Sequence, residues 1–253
     1  MRPVRPIITC LTVALALGAA ATPARAERFE CLVEPFLEVN LASGIPGLLG
    51  EVLVERGDSV TGNQVLARLR SDVERANLDL VRARAAFAAR RVERNEEMYR
   101  KQMISIHEKD EIETQSELLK LEVKEVEERL KLRTIRSPID GVVVKLFYSP
   151  GEFVQEETIL SIAQINPLRV EVVVPVRLYG RVKVGMKAKV EWEAPLGHVR
   201  TATVTVVDPV VDAASGTVGI RLELPNPKKD RLPAGTKCWV EFPDGEAGNS
   251  AGG

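Results

Sequence analysis

The stretch from Ser71 to Arg133 contains neither proline nor glycine, and it limits what the rest of the chain can be. Nothing in it breaks a helix. Ser71 with Glu74, and Ser105 with Glu108, have capping-box spacing: each hydroxyl can accept from the amide three residues on, and each carboxylate can reach back. Two helix starts are therefore expected, with a short tip near Gln102 to Ser105 between them. In the first helix Val73, Ala76, Leu80, Ala83 and Phe87 make a heptad-like apolar stripe. In the second the stripe is Ile112, Leu119 and Val126, with Val123 and Leu130. Arms of about 28–30 residues would each be roughly 45 Å long at ~1.5 Å per residue. A two-helix arm with one seam encloses no globular core, so residues 71–133 are expected to project as an antiparallel coiled-coil hairpin. Something on either side must hold its base.

The flanks of this run are an internal repeat. "GLLGEVLVERGDSVTGNQVLARL" at 47–69 and "GVVVKLFYSPGEFVQEETILSIA" at 141–163 align, Gly47 with Gly141, Gly57 with Gly151, Val60 with Val154, Val65 with Ile159 and Leu66 with Leu160. Each copy reads as short strands around a turn led by Gly57 or Gly151, with Gly141 shaping the return into the second copy. One copy alone has a bare apolar face. Two copies, residues 41–70 and 134–163, are expected to stack into a small sandwich, and both ends of the helical insert then lie side by side at its edge.

From Ile165 the pattern changes to alternating Val, Ile and Thr, in "LRVEVVVPV", "KAKVEWEA", "TATVTVVDPV", "TVGIRLEL" and "TKCWVEF". Residues 164–243 are expected to form an antiparallel β-barrel of five or six strands, closed with help from an entering strand over 27–40. Cys31 and Cys238 both sit in strand-like contexts, and either a disulfide or two separate buried thiols fits the sequence. The tail 244–253 has almost no apolar content and is expected to be disordered.

Residues 1–26 have the pattern of a secretory signal: Arg2 and Arg5, an apolar run from Ile7 to Ala21, then Ala24-Arg25-Ala26 as a cleavage site. The apolar run is shorter than the ~20 residues a spanning helix needs, which favours cleavage after Ala26 over an uncleaved anchor. Neither Cys10 nor Cys31 has the context of a lipid-attachment site. Formal net charge is −1 for the whole chain, and the signal carries only arginines, so the mature part is more acidic. No nucleic-acid partner is expected. Aromatic residues are 4% of the chain, too few for a large aromatic-lined pocket. His107 and His198 lie on different elements, no Cys/His cluster has metal-ligand spacing, and no nucleophile, zinc or phosphate-loop motif occurs. Catalytic, cofactor-binding and metal-binding residues are expected to be none, and the chain is not expected to be an enzyme.

The paired half-motifs resemble the lipoyl/biotinyl-like domain. No "DKA" or "MKM" signature occurs at their junction, which the helical insert fills, so no covalently carried cofactor is implied. The order of signal, entering strand, half-motif, helical hairpin, half-motif and barrel resembles the periplasmic adaptor subunits, or membrane fusion proteins, of the HlyD-like and RND efflux type. The strings that carry the resemblance are "RSPIDGVV" (136–143), "PGEFV" (150–154), "NPLRVEVVVP" (166–175), "VDAASGTVGIRLELPNP" (211–227) and "RLPAGTKCWVEF" (231–242). It implies a mainly β chain with a long inserted α-helical hairpin, a lipoyl-like sandwich and a β-barrel. It also implies an inner-membrane transporter (RND or ABC), an outer-membrane channel, and a homo-oligomeric ring as partners. In adaptors that dock on channel proteins the tip carries Arg, then Leu, then Ser at fixed spacing; here Arg94, Met98 and Ser105 stand at those positions, with Met replacing Leu. Each has a plainer role as well: Arg94 on a solvated face, Met98 in the seam, Ser105 as the cap of the second helix. The resemblance further implies a periplasmic protein whose membrane-proximal domain is absent or vestigial, leaving transporter docking to the barrel. Its rivals are an adaptor of an ABC-type exporter or type I secretion system, a carrier using the lipoyl-like fold, and a coiled-coil scaffold outside transport.

Overall fold

The computed structural model describes residues 27–243. The expected signal segment 1–26, its cleavage after Ala26 and the tail 244–253 lie outside the described residues. In chain order the elements are β1 (Arg28–Ala42), β2 (Gly47–Val52), β3 (Ser59–Val60), β4 (Val65–Leu69), α1 (Asp72–Arg100), α2 (Ile106–Lys131), β5 (Thr134–Arg136), β6 (Gly141–Leu146), β7 (Phe153–Val154), β8 (Thr158–Pro175), β9 (Lys187–Trp192), β10 (Val199–Val207), β11 (Thr217–Leu224) and β12 (Thr236–Glu241).

Six strands close a barrel in the order β1-β12-β9-β10-β11-β8, with β8 pairing back to β1. The alternation seen in the sequence sends every second residue inward. Val33, Leu168, Val170, Val174, Val190, Ala202, Leu222, Leu224 and Val240 are fully buried there. Trp192, also buried, places its indole N–H 3.1 Å from the Thr236 hydroxyl, which accepts it. Asn226 is buried without being apolar because its amide is fully used. Its Nδ2 donates to the carbonyls of Ile165 and Leu232, and its Oδ1 accepts from the Leu232 amide, pinning the β11–β12 connection to the barrel. Cys31 and Cys238 face each other directly across β1 and β12 and are joined by a disulfide.

β1 and β8 do not stop at the barrel. They stay paired from Cys31 with Val172 out to Ala42 with Thr158, so their outer halves belong to the second β body. β8 thus runs unbroken through 163 and 164, the division expected between sandwich and barrel, and β1 serves both bodies rather than the barrel alone. The pairing shifts register between Pro35 and Leu37, where proline has no amide to give to the ladder.

In that second body the two half-motifs interlock rather than simply stack. β3 of the first half pairs with β6 of the second, and β7 of the second pairs with β2 of the first. The exchange is symmetric. Gly57 N–H donates to the Val143 carbonyl at 2.9 Å, and Gly151 N–H donates to the Leu49 carbonyl at 2.7 Å. Both glycines have φ of +95°, a left-handed conformation that L side chains rarely adopt. The repeat also begins earlier than the aligned strings. The hydroxyls of Ser43 and Ser137 donate to the carbonyls of Ile45 and Ile139, two equivalent turns from S-x-I-x-G. Leu49, Val54, Val60, Leu66 and Leu69 from one half and Ile135, Val143, Val154, Ile159 and Leu160 from the other fill one shared core.

α1 and α2, of 29 and 26 residues, lie antiparallel, as the ion pairs Arg82–Glu127 and Glu96–Lys109 require. The seam of α2 runs through Ile112, Ser116 and Val126, with Val123 and Leu130 half-buried against α1. The seam of α1 differs from the expected one. Leu78, Val81 and Ala88 face α2, whereas Val73, Leu80 and Phe87 are 79%, 50% and 56% exposed. α1 carries two stripes of equal period, offset by one or two positions. The inward one includes the small Ala85 and Ala88, which let the helix axes approach closely.

Two stability predictions follow from these contacts. A Cβ on Gly141 would lie 2.5 Å from the Ala163 carbonyl oxygen, whereas one on Gly44 would meet nothing. Gly141→Ala is expected to cost about 2 kcal/mol or more in chemical denaturation, and Gly44→Ala close to nothing. The disulfide spans 207 residues, so Cys31→Ser with Cys238→Ser is expected to lower stability by about 3–5 kcal/mol, measured against the oxidised wild type.

Candidate functional site

The helix pair is fixed to the β body at one place. β4 and β5 are neighbouring strands, and the Leu69 amide donates to the Arg133 carbonyl at 2.8 Å, so the chain leaves and returns side by side. The Arg133 guanidinium sits in this junction. It donates to the Pro46 carbonyl and pairs with Glu74 in the first turn of α1. Gly47 leaves the space it occupies, since a Cβ there would come 2.5 Å from Nη1. Glu74 is therefore not part of a capping box. Its carboxylate is held by Arg133, and Ser71, at φ −140° and ψ 22°, makes no side-chain cap bond.

At the far end α1 stops at Arg100 without a glycine. Gln102 takes the left-handed conformation at φ 55°, its amide donates to the Tyr99 carbonyl, and the Met103 amide donates to the Met98 carbonyl. These two bonds are a Schellman ending, here on a non-glycine residue. Ser105 restarts the chain as the N-cap of α2, its hydroxyl accepting from the Glu108 amide at 3.2 Å. Arg94 and Met98 lie one turn apart on α1 and are exposed, and Ser105 is exposed at the turn. Two further apolar side chains stand in the open beside them, Met103 and Ile106, at 65% and 55% exposure. Sequence periodicity passed over both because they fall in the turn and the first helical position, outside either stripe.

Behind the tip the helices are locked by Lys109. Its ammonium lies 2.9 Å from Glu96 and 3.6 Å from Glu113, and 4.9 Å above the centre of the Tyr99 ring. The hydrogen bond from Lys109 holds the Glu96 carboxyl below its ordinary value of 4.5, and the same bond raises Lys109 above its ordinary 10.5. The depressed acid stabilises fully above about pH 4.5, and its contribution is lost as pH falls through the lower folded value. The raised base stabilises fully below 10.5, and its contribution is lost as pH rises through the higher one. The protection factors of the amides over 96–109, referred to the intrinsic exchange rate at each pH, are therefore expected to stay constant across the neutral range and to fall below about pH 4.5, with Glu96→Gln flattening the acid limb.

The described residues hold no group of three or more His, Cys, Asp or Glu side chains placed for a metal ion. His107 and His198 are exposed and far apart in the chain. No helix among the described residues is long and apolar enough to cross a membrane. What the arrangement offers is a long arm, clamped at its base, with exposed apolar side chains beside Arg94 and Ser105 at its tip.

The fold places this chain among known proteins. The family model of the CzcB-like barrel-sandwich hybrid domain matches residues 38–164, half of the sequence. The chain belongs to the membrane fusion, or periplasmic adaptor, protein family. A second model, the CusB-like beta-barrel domain, matches residues 168–245. Adaptors of this family are non-enzymatic structural components of efflux systems, periplasmic and associated with the inner membrane. An uncharacterized Haemophilus influenzae protein is 23% identical over 191 residues, 75% of this chain and 50% of that protein. The multidrug resistance protein MdtE of Escherichia coli K12 is 27% identical over 139 residues, 49% of this chain and 36% of MdtE. The chain thus spans half or less of the length of the curated relatives it matches. Its fold is similar to that of a MacA-MexA chimera containing the Pseudomonas aeruginosa MexA alpha-hairpin domain. The TM-score is 0.75 at 19% identity, over 86% of this chain and 80% of the chimera.

Proposed function

We propose that this adaptor serves a tripartite efflux system, linking an RND-type inner-membrane transporter to an outer-membrane channel as part of the export conduit. The observation that carries the proposal is the tip. A helix pair clamped by Arg133 ends in exposed Met98, Met103 and Ile106 beside Arg94 and Ser105. Exposed apolar area at the end of a projecting arm is best explained by a partner that covers it. In such a contact Met98 would bury its thioether, a shape-tolerant substitute for leucine, while Arg94 and the Ser105 hydroxyl would meet polar groups of the channel. The name of the matching barrel model, Beta-barrel_RND_2, supports an RND-type motor.

In this reading residues 41–70 and 134–163 are the lipoyl-like domain and several copies form a ring. The signal 1–26 directs the chain to the periplasm, and the barrel faces the transporter. The disulfide suits that oxidising compartment. The chain supplies geometry rather than chemistry, without a cofactor, and energy comes from the transporter.

The test is recovery of the full-length protein from native membranes in mild detergent, with mass spectrometry of its companions. An RND transporter and an outer-membrane channel are expected together. Met98→Asp is expected to reduce channel recovery at least tenfold while leaving the transporter and the thermal midpoint unchanged, because the site is exposed and remote from both β cores. Recovery of an ABC transporter would replace the motor in this proposal. Unaltered channel recovery with Met98→Asp would remove the tip from it.

A further inference from the structure

Between Glu171 and Glu191 the chain carries no acidic residue and five basic ones, Arg177, Arg181, Lys183, Lys187 and Lys189. In a chain of net charge −1 this run stands apart. Most of it is the connection from β8 to β9, which lies across the end of the barrel remote from the helix pair. β1 and β8 leave the barrel for the interlocked body at the other end. The connection faces two ways. Leu178, Val182 and Met186 pack down on the barrel core and close it. Val176, Tyr179 and Val184 stay outside and are 45%, 51% and 66% exposed. Arg177, Arg181 and Lys183 are exposed between them. Val210, on the β10–β11 turn, is 77% exposed. The Val176 amide donates to the Gly216 carbonyl at 2.9 Å and holds that turn alongside. Four apolar side chains thus stand at one end of the barrel, on turns fixed to one another and to the core.

We propose that this end of the barrel binds an anionic phospholipid surface, with Val176, Tyr179 and Val184 entering the headgroup layer and Arg181 and Lys183 meeting its phosphates. The inference goes beyond the adaptor reading, since it assigns a lipid contact that needs neither transporter nor channel. Charge is the first argument. Arg177 pairs with Glu27, whereas Arg181, Lys183 and Lys187 have no ion-pair partner among the described residues. The acids nearby are engaged or turned aside. Asp212 accepts from the Ala214 amide and the Ser215 hydroxyl, and Glu241 pairs with Arg28. Asp208 lies over Gly219 on the wall of the barrel, where a Cβ would meet its carboxylate. Position is the second argument. Glu27, where the apolar run 7–21 of the expected signal joins the fold, is at this same end. The six residues from Ala21 to Glu27 reach about 20 Å when fully extended. The run that enters the membrane thus brings this end of the barrel up beside it.

The form of the surface selects lipid over protein. A protein interface gathers its apolar area into a core ringed by polar groups. Here the apolar side chains stand apart on three turns. Val176 is beside Arg177, Val184 beside Lys183, and Tyr179 two residues before Arg181. A headgroup layer asks for no matching shape. It accepts separate apolar side chains at shallow depth, favours tyrosine at its boundary and draws cations to its phosphates. Little ordering is left to be done on binding, because Leu178, Val182 and Met186 already fix the connection to the barrel core. The face uses only the end of the barrel, so the wall stays open to the transporter.

The experiment is co-sedimentation with lipid vesicles of the chain from Glu27 onward, which holds every described strand and helix. One set of vesicles is phosphatidylglycerol mixed into phosphatidylcholine, the other phosphatidylcholine alone. Binding to the mixed vesicles is expected to be at least tenfold stronger and to be lost in high salt. Arg181→Glu with Lys183→Glu is expected to weaken it at least tenfold, and Tyr179→Ser with Val184→Ser at least threefold. Lys120→Glu with Lys124→Glu makes the same change of net charge at exposed positions on α2 and is expected to leave binding unchanged. An unaltered thermal midpoint checks the fold of each variant, and Lys183→Glu alone gives the same test if a double variant is destabilised. Equal binding to both kinds of vesicle, or binding to neither, would overturn the inference. So would equal weakening by the barrel and α2 charge variants. If the unaltered chain ignores both vesicles and Arg181→Glu with Lys183→Glu costs it the transporter in the membrane preparation, the face belongs to an acidic protein surface, and the inference is likewise overturned. None of these outcomes alters which transporter and channel accompany the unaltered chain, so the adaptor reading stands or falls separately.

Discussion

The antiparallel pairing of β1 with β8 holds the molecule together as one piece. It begins inside the barrel at Cys31 opposite Val172 and ends inside the interlocked body at Ala42 opposite Thr158. A slip of one residue would turn Val33, Val170 and Val172 out of the barrel and reverse the facing of Leu160 and Ile162 in the other core. Because both cores specify the same ladder, each body fixes the register of the other. Two continuous strands also transmit orientation better than a linker of turns would, since bending them breaks ladder hydrogen bonds. The disulfide ties the same β1 to β12, the other barrel strand beside it.

The second dependence is the crossing of the half-motifs. Because β2 pairs with β7 and β3 with β6, neither half is complete without the other. The same arrangement puts β4 next to β5, which is what allows a long helical excursion to start and finish at one point. Arg133 then serves three contacts with one side chain, bonding Pro46 and Glu74 and filling the place left by Gly47.

Much of this was legible in residue order. Gly57 and Gly151 marked equivalent turns, the alternating Val and Ile runs marked barrel strands, and Ile112, Val123 and Val126 marked the inward face of α2. The failures share a cause: they depend on which of two locally equal options a distant group selects. Both α1 stripes have heptad spacing, and the bulk of Val73, Leu80 and Phe87 makes the outer one look like the seam. Only the fit of Ala85 and Ala88 against α2 decides between them. The Glu74 half of the expected capping box was lost to Arg133, 59 positions away in sequence, whose charge attracts the carboxylate more strongly than a backbone amide does. Strand exchange between the halves leaves no local trace, since a strand's pattern reports that it is buried and not by which neighbour. At the tip, Arg94, Met98 and Ser105 were read from spacing. Met103 and Ile106 had no periodicity to reveal them, only apolar character next to a cap.

The junction at Arg133 has a geometric consequence for the arm. Exit and return share one strand pair, and the ion pair that clamps the arm there engages only the first turn of α1. Inserting or deleting one heptad in each helix, at level positions, would preserve the seam, the clamp and the tip turn while moving the tip by about 10 Å. Reach is thus separable from attachment. A contact that stands farther from the β body or closer to it demands a change in one dimension only, and the fold supplies that dimension as a count of repeats.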